Sequence, residues 1–115
     1  NRVGVHEGST GQSLAQTLPD CQIQAFQSNL DLNRSFIAKG IDVIIHDRLM
    51  LEFFISTGQL PVDAVVIPLK REAYAIAYTK TNRALGDKLE KALDAMSKDG
   101  ELQRLRHKWL ETSVK

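Results

Sequence analysis

A serine and a threonine follow a short apolar segment near the start of the chain, within the sequence Gly-Ser-Thr-Gly. Ser9 and Thr10 would lie where a strand passes into a helix, so their hydroxyls and the neighbouring N–H groups would point to one place above the strand end. A helix start has unpaired donors and partial positive charge, which favour an anion such as a carboxylate. A purely structural interpretation is also open, because Ser9 and Gln12 form the Ser-x-x-Gln pattern of a capping box.

The elements that would position these hydroxyls alternate between strand and helix. This order predicts an α/β fold, with a mostly parallel sheet, right-handed crossovers and flanking helices. The β-branched run Ile41–Ile45 has a single polar residue, which indicates a strand covered on both faces. The predicted strands are Arg2–His6, Gln22–Phe26, Ile41–Ile45, Val62–Ile67 and Ala73–Thr79, and the predicted helices are Thr10–Leu18, Ser28–Gly40, Asp47–Thr57, Asn82–Lys98 and Glu101–Thr112.

The composition fits one small domain and argues against several classes of protein. The 115 residues have a net charge of +1, and no basic run interleaved with aromatic residues indicates a nucleic-acid surface. No apolar run reaches the ~18 residues of a membrane helix. Cys21 is the single cysteine and no Cys/His metal pattern occurs, so we expect neither a metal nor a cofactor. Because the chain begins at Asn1 rather than Met, we interpret it as a processed or excised piece.

The two C-terminal helices carry apolar stripes that we expect to be buried against another surface. A charged link, Lys70–Glu72, comes before them and is either a hairpin loop within one domain or a crossing between two lobes. The stripes consist of Leu85, Leu89, Leu93, Met96, Leu102, Leu105, Trp109 and Leu110.

Several segments, taken in order, resemble the periplasmic amino-acid-binding proteins, which are type II solute-binding proteins. The segments are Gly8–Gly11 after a strand, Gly40–Asp47, Glu72–Ala77, Asp99–Leu102 and Lys108–Leu110. The resemblance implies a clamshell of two α/β lobes that close on an amino acid. It implies that residues 1–72 are the second lobe, and that residues 73–115 are a return strand and C-terminal helices that pack on the first lobe, most of which would lie upstream. Ala75 stands where the family usually has glycine.

The resemblance also implies roles for five residues at the strand ends. Ser9 and Thr10 match positions that bind the ligand carboxylate, and Asp47 matches the acid that pairs with the ligand ammonium. An ammonium in a closed cleft needs a paired carboxylate, because a lone buried charge is costly. His46 matches a His-Asp pair of glutamine-binding members, and His6 stands where some members have lysine. Alternatives stay open: Asp47 is also a plain N-cap, although the resemblance favours ligand contact, and His46 is equally a strand-end histidine that bonds to the backbone.

The first functional hypothesis is therefore an extracytoplasmic or periplasmic domain that binds a polar amino acid by lobe closure and serves an ABC-type transporter or a membrane receptor. The alternative is an enzyme on the same fold, of the dehydratase or peptidoglycan lyase type, although no dedicated catalytic motif is present. If the chain exists alone, its exposed leucine stripes predict a homo-oligomer formed through the tail helices.

Overall fold

Three short apolar runs pair as a parallel sheet in the computed structural model, which describes residues 1–111. The strands are β1 (Arg2–His6), β2 (Gln22–Phe26) and β3 (Val43–Ile45), and their order across the sheet is β2-β1-β3. Val5 pairs with Ala25 on one side and with Ile45 on the other. The predicted α/β class and the parallel pairing are confirmed, and β1 is the central strand.

Three helices follow the three strands: α1 (Thr10–Ala15), α2 (Asn29–Ile37) and α3 (Arg48–Ser56). Ser28 caps α2, since its hydroxyl accepts a hydrogen bond from the Asp31 N–H at 3.1 Å. The first helix ends at Ala15 rather than at the predicted Leu18, because the chain tightens into a turn in which the Leu18 N–H donates to the Ala15 carbonyl at 3.0 Å. Each helix therefore begins at the edge of the sheet where its preceding strand ends.

The core lies on both faces of β1. On one face Val3 and Val5 pack with Ala15 and Ile45. On the other face Gly4 leaves room for two buried side chains, since a Cβ at this position would lie 2.7 Å from the Leu32 Cδ1 and would overlap with Ile41. A glycine in the central strand thus lets α2 and the segment before β3 approach the sheet closely.

The structure corrects the expected environment of the third strand. Within the described chain, β3 pairs only with β1 and forms one edge of the sheet. Val43 and Ile45 point to the same face of the sheet, and their exposure falls from 45% to 7% toward the carboxyl end of the strand. Ile44, on the opposite face, is half-buried. The strand is therefore shorter than the predicted Ile41–Ile45 and only partly covered on each face, whereas β1 is buried on both faces.

Two predicted strands, Val62–Ile67 and Ala73–Thr79, do not form, although the structure describes both segments. Val62 and Val65 are each 84% exposed, and Tyr74 is also exposed. A strand needs a hydrogen-bonding neighbour, and within the described residues neither segment pairs with the sheet. These segments have the alternating apolar residues that are typical of strands, but no strand of the described sheet pairs with them.

The chain divides into two compact units, one over Asn1–Val66 and one that begins at Ile67. The second unit contains a 3-10 turn (Lys80–Asn82), α4 (Arg83–Lys98), α5 (Glu101–Arg106) and a π-helical turn (His107–Glu111). The predicted tail helices are confirmed in outline, although the second one changes character after Arg106. Thr112 and the side chain of Leu110 lie outside the described residues.

The apolar stripes of the tail are only partly covered within the described chain. Leu85, Leu93, Leu102 and Trp109 are exposed, whereas Leu89, Met96 and Leu105 are half-buried. Burial of the stripes against another surface stays a prediction. Gly86 is buried, and a Cβ there would overlap with the ring of Tyr78, so the segment before α4 packs across that helix at one point.

Candidate functional site

Parallel pairing brings the polar residues that follow β1 and β3 to the same edge of the sheet. Val5 is in register with Ile45, so the next residues, His6 and His46, lie side by side where the two strands end. Their ring centroids are 6.3 Å apart, with an angle of 51° between the planes. The carboxyl edge of the sheet, where open α/β sheets bind ligands, thus carries a pair of histidines.

Ser9 is engaged in a capping box. Its hydroxyl donates to the His6 carbonyl at 2.7 Å and accepts from the Gln12 N–H at 3.2 Å. The Gln12 side chain reaches one residue further back than in a standard box, because its Oε1 accepts from the N–H of Gly8, the residue before the cap, at 2.8 Å. The structural interpretation of Ser-x-x-Gln is therefore present in the fold, and the hydroxyl proton of Ser9 already has an acceptor. Thr10, at the first position of α1, is exposed.

The first turn of α1 lies directly against the end of β3. A Cβ built on Gly11 would be 2.8 Å from the Ile45 carbonyl oxygen, which is closer than real Cβ atoms come to a backbone atom. Gly11 therefore allows the Ser9–Gly11 turn to approach the strand that leads into His46 and Asp47. This contact joins the two sequence motifs that were predicted separately.

His46 is held by hydrogen bonds to both ring nitrogens. The Asp47 N–H donates to Nδ1 at 2.8 Å, and Nε2 lies 2.9 Å from Oδ1 of Asn29. Because Nδ1 accepts, Nε2 carries the proton and donates to the amide oxygen, which defines the neutral Nε2–H tautomer. The ring also meets Phe54 edge to face, with centroids 5.8 Å apart. The backbone hydrogen bond that the strand-end interpretation requires is present, and contact of His46 with a ligand stays a prediction.

Burial lowers the pKa of His46 below its ordinary value, since desolvation disfavours the imidazolium. The negative charge of Asp47 opposes this shift and raises the pKa, whereas His6 lowers it further. The neutral tautomer is therefore the stable form at neutral pH.

Asp47 occupies the N-cap position of α3, yet its carboxylate accepts no capping hydrogen bond from that helix. The side chain is half-buried and interacts electrostatically with His46. Asp47 therefore stands at the N-cap position of α3 without a capping hydrogen bond from its side chain.

Asn29 and Phe54 also belong to this edge, although neither was predicted from the sequence. Asn29 is the first residue of α2, and a helix that follows a neighbouring parallel strand must begin at the same edge. That rule could have identified Asn29. Phe54 follows Asp47 by about two turns of α3, and its ring contacts that of His46.

A depression of the N-terminal unit lies at the opposite, amino edge of the sheet, and its lining residues are Arg2, Gln22, Ile23, Gln24 and Gly40. Among residues 1–111, no group of three or more His, Cys, Asp or Glu side chains is arranged to hold a metal ion.

Comparison with known protein families, with curated proteins and with solved structures gives no significant match to this chain. Within the part of the chain that the structure describes, no helix combines the length and apolarity needed to cross a bilayer.

Proposed function

We propose that residues 1–72 form one lobe of an amino-acid-binding clamshell and that the ligand binds at the carboxyl edge of the sheet. The observation that supports this best is the close approach of Gly11 to the end of β3, because it joins the turn that carries Thr10 to the strand that leads into Asp47. A zwitterionic amino acid requires donors for its carboxylate and a carboxylate for its ammonium at close range.

The proposed roles follow from the environment of each side chain. Asp47 pairs with the ligand ammonium, because its half-buried side chain follows β3 at the carboxyl edge of the sheet. Thr10 binds the ligand carboxylate at the start of α1, and Ser9 supports it by holding the turn through its capping box. His6 lines the edge between these groups, next to His46.

Lobe closure would complete the site, with the upstream first lobe supplying the remaining contacts and residues 73–115 packing on it. The exposed apolar residues of the C-terminal unit are consistent with a surface that another body covers. We place the protein outside the cytoplasm, in partnership with an ABC-type transporter or a membrane receptor, on the resemblance described above. The enzyme alternative has no comparable support, since the Nδ1 lone pair of His46 already accepts a backbone hydrogen bond.

The test is an NMR titration of the ¹⁵N-labelled chain with each common amino acid. We expect a polar amino acid to shift the amide signals of Thr10 and Asp47 and to leave those at the amino edge unchanged. Asp47→Asn should weaken binding at least about tenfold, since it removes a charge-assisted pair. Asp63→Asn is the matched control, because Asp63 is an exposed carboxylate outside the helices and strands. If no amino acid shifts the carboxyl-edge signals, or if both variants bind equally, the proposal fails.

A further inference from the structure

We propose that His46 is a positioning residue that clamps the main chain at Asp47, with Asn29 as its anchor, and that protonation of His46 opens the clamp. The proposal concerns the Asp47 backbone and is independent of any ligand. Its consequence for ligand affinity rests on the function proposed above.

The geometry of the two hydrogen bonds carries the argument. One ring nitrogen accepts from the Asp47 N–H at 2.8 Å, and the other donates to the Asn29 amide oxygen at 2.9 Å. Asn29 starts α2 and Asp47 comes just before α3, so the imidazole connects the beginnings of two helices across the end of β3. A histidine with both nitrogens engaged in this way acts through its neighbours rather than by direct contact with a ligand.

Protonation changes one of these bonds and preserves the other. The imidazolium has an N–H on both nitrogens, so Nδ1 would present a donor to the N–H donor of Asp47. The contact to Asn29 survives, because Nε2 donates in both states. Acid therefore releases the Asp47 main chain while the ring stays anchored to α2.

The charged groups that face His46 are His6 from β1 and Asp47 itself. The other two groups packed on the ring, Asn29 from α2 and Phe54 from α3, do not titrate in this range. A second proton on His6 would oppose protonation of His46, whereas the Asp47 carboxylate would favour it.

The first experiment observes the clamp without a ligand. Long-range ¹H–¹⁵N spectra of the chain should show His46 as the Nε2–H tautomer at neutral pH, with its Nδ1 unprotonated. The Asp47 amide should exchange with solvent about fivefold faster in His46→Gln than in the parent chain, the factor for one ordinary hydrogen bond. Relative to the intrinsic exchange rate at each pH, the same acceleration should appear in the parent chain as His46 is protonated. An Nδ1–H tautomer, or Asp47 exchange that ignores the titration, would overturn the proposal.

A pair of variants separates positioning from ligand contact. In His46→Asn the side-chain oxygen takes the place of Nδ1 and can still accept from the Asp47 N–H, whereas His46→Gln puts its amide near the place of Nε2. Relative to the intrinsic exchange rate at each pH, a clamp predicts slow Asp47 exchange throughout in the asparagine variant and fast exchange throughout in the glutamine variant. The opposite order would refute the clamp. His107→Asn, in the C-terminal unit, is the control and should change neither quantity.

If an amino acid binds, its affinity should change in parallel with the protection of the Asp47 amide from exchange. We expect binding to be about fivefold weaker in His46→Gln and near the parental affinity in His46→Asn. If none binds but the tautomer and the exchange rates are as expected, the proposed function fails and the clamp stands. If binding occurs and His46→Gln binds better than His46→Asn, the ring contacts the ligand through Nε2 and the clamp is wrong.

Discussion

Replacement of Gly11 by alanine should destabilise the N-terminal unit, although the same change within an ordinary helix stabilises. Alanine is favoured over glycine in helices by up to about 1 kcal/mol. At this position, however, the new Cβ would lie 2.8 Å from the Ile45 carbonyl oxygen. That oxygen belongs to a strand paired with β1, so it cannot move as the end of a flexible side chain would.

The net effect follows from two opposing contributions. Insertion of a methyl group into a closely packed contact typically costs about 1–3 kcal/mol. Because the clashing atom is a paired backbone oxygen, the upper part of that range applies, about 2–3 kcal/mol. Subtracting a helix preference of about 1 kcal/mol leaves a loss of about 1–2 kcal/mol in the free energy of unfolding. With a urea dependence of about 1 kcal/mol per molar for a small protein, the unfolding midpoint should fall by about 1–2 M.

The assay is urea unfolding followed by circular dichroism, with Ser13→Ala as the control. Ser13 lies in the same short helix and is exposed, so its replacement should change stability by less than about 0.5 kcal/mol. A Gly11→Ala midpoint equal to or above that of the parent chain would mean that α1 does not approach β3 as described. The contact that joins the two halves of the candidate site would then be wrong.

Three further predictions concern other parts of the fold. The Arg2 guanidinium lowers the pKa of Asp42 to about 2, so Arg2→Gln should raise the Asp42 pKa in a carboxyl NMR titration. The stability that the pair contributes should be lost as the pH falls from about 4 toward 2, because the carboxylate is then protonated. Asn33 is 2% exposed, and its side-chain amide has no hydrogen-bond partner within residues 1–111. Because a buried amide without a partner is destabilising, Asn33→Leu should raise the unfolding free energy by about 1 kcal/mol or more. A clear loss of stability would contradict this. Leu93→Glu should reduce self-association in analytical ultracentrifugation, whereas Ala95→Glu, on another face of α4, should not; equal effects would exclude the leucine stripe as the contact.

The parts of the fold that the sequence predicted are those with local causes. Ser28 and its hydrogen bond to Asp31 define the start of α2, and the apolar residues of Arg2–His6 and Gln22–Phe26 define two strands at their observed bounds. Parallel pairing then placed His6 and His46 at one edge, as the alternation of elements required. Capping residues and apolar alternation were sufficient to predict a helix or strand when the residues that stabilise it are close in sequence.

The remaining features depended on partners that a local pattern does not identify. Val62–Ile67 has a strand's composition, but a strand forms only where a neighbour offers its N–H and C=O groups. The Ser-x-x-Gln motif has a similar ambiguity, since a hydroxyl that caps a helix and one that binds an anion require the same residue. Asn29 was missed because its role depends on the ring of His46, which lies seventeen residues away.

Cys21 gives the N-terminal unit a built-in reporter of its own opening. The thiol is the single one in the sequence, is half-buried against the core of β1, and donates to the Pro19 carbonyl at 3.4 Å. A thiol-specific reagent would gain full access when β2 separates from that core, so the rate of labelling would measure how often this edge of the sheet opens under native conditions. The Cys21 thiol thus allows the frequency of local opening to be compared with that of global unfolding in the same molecule, without an engineered probe.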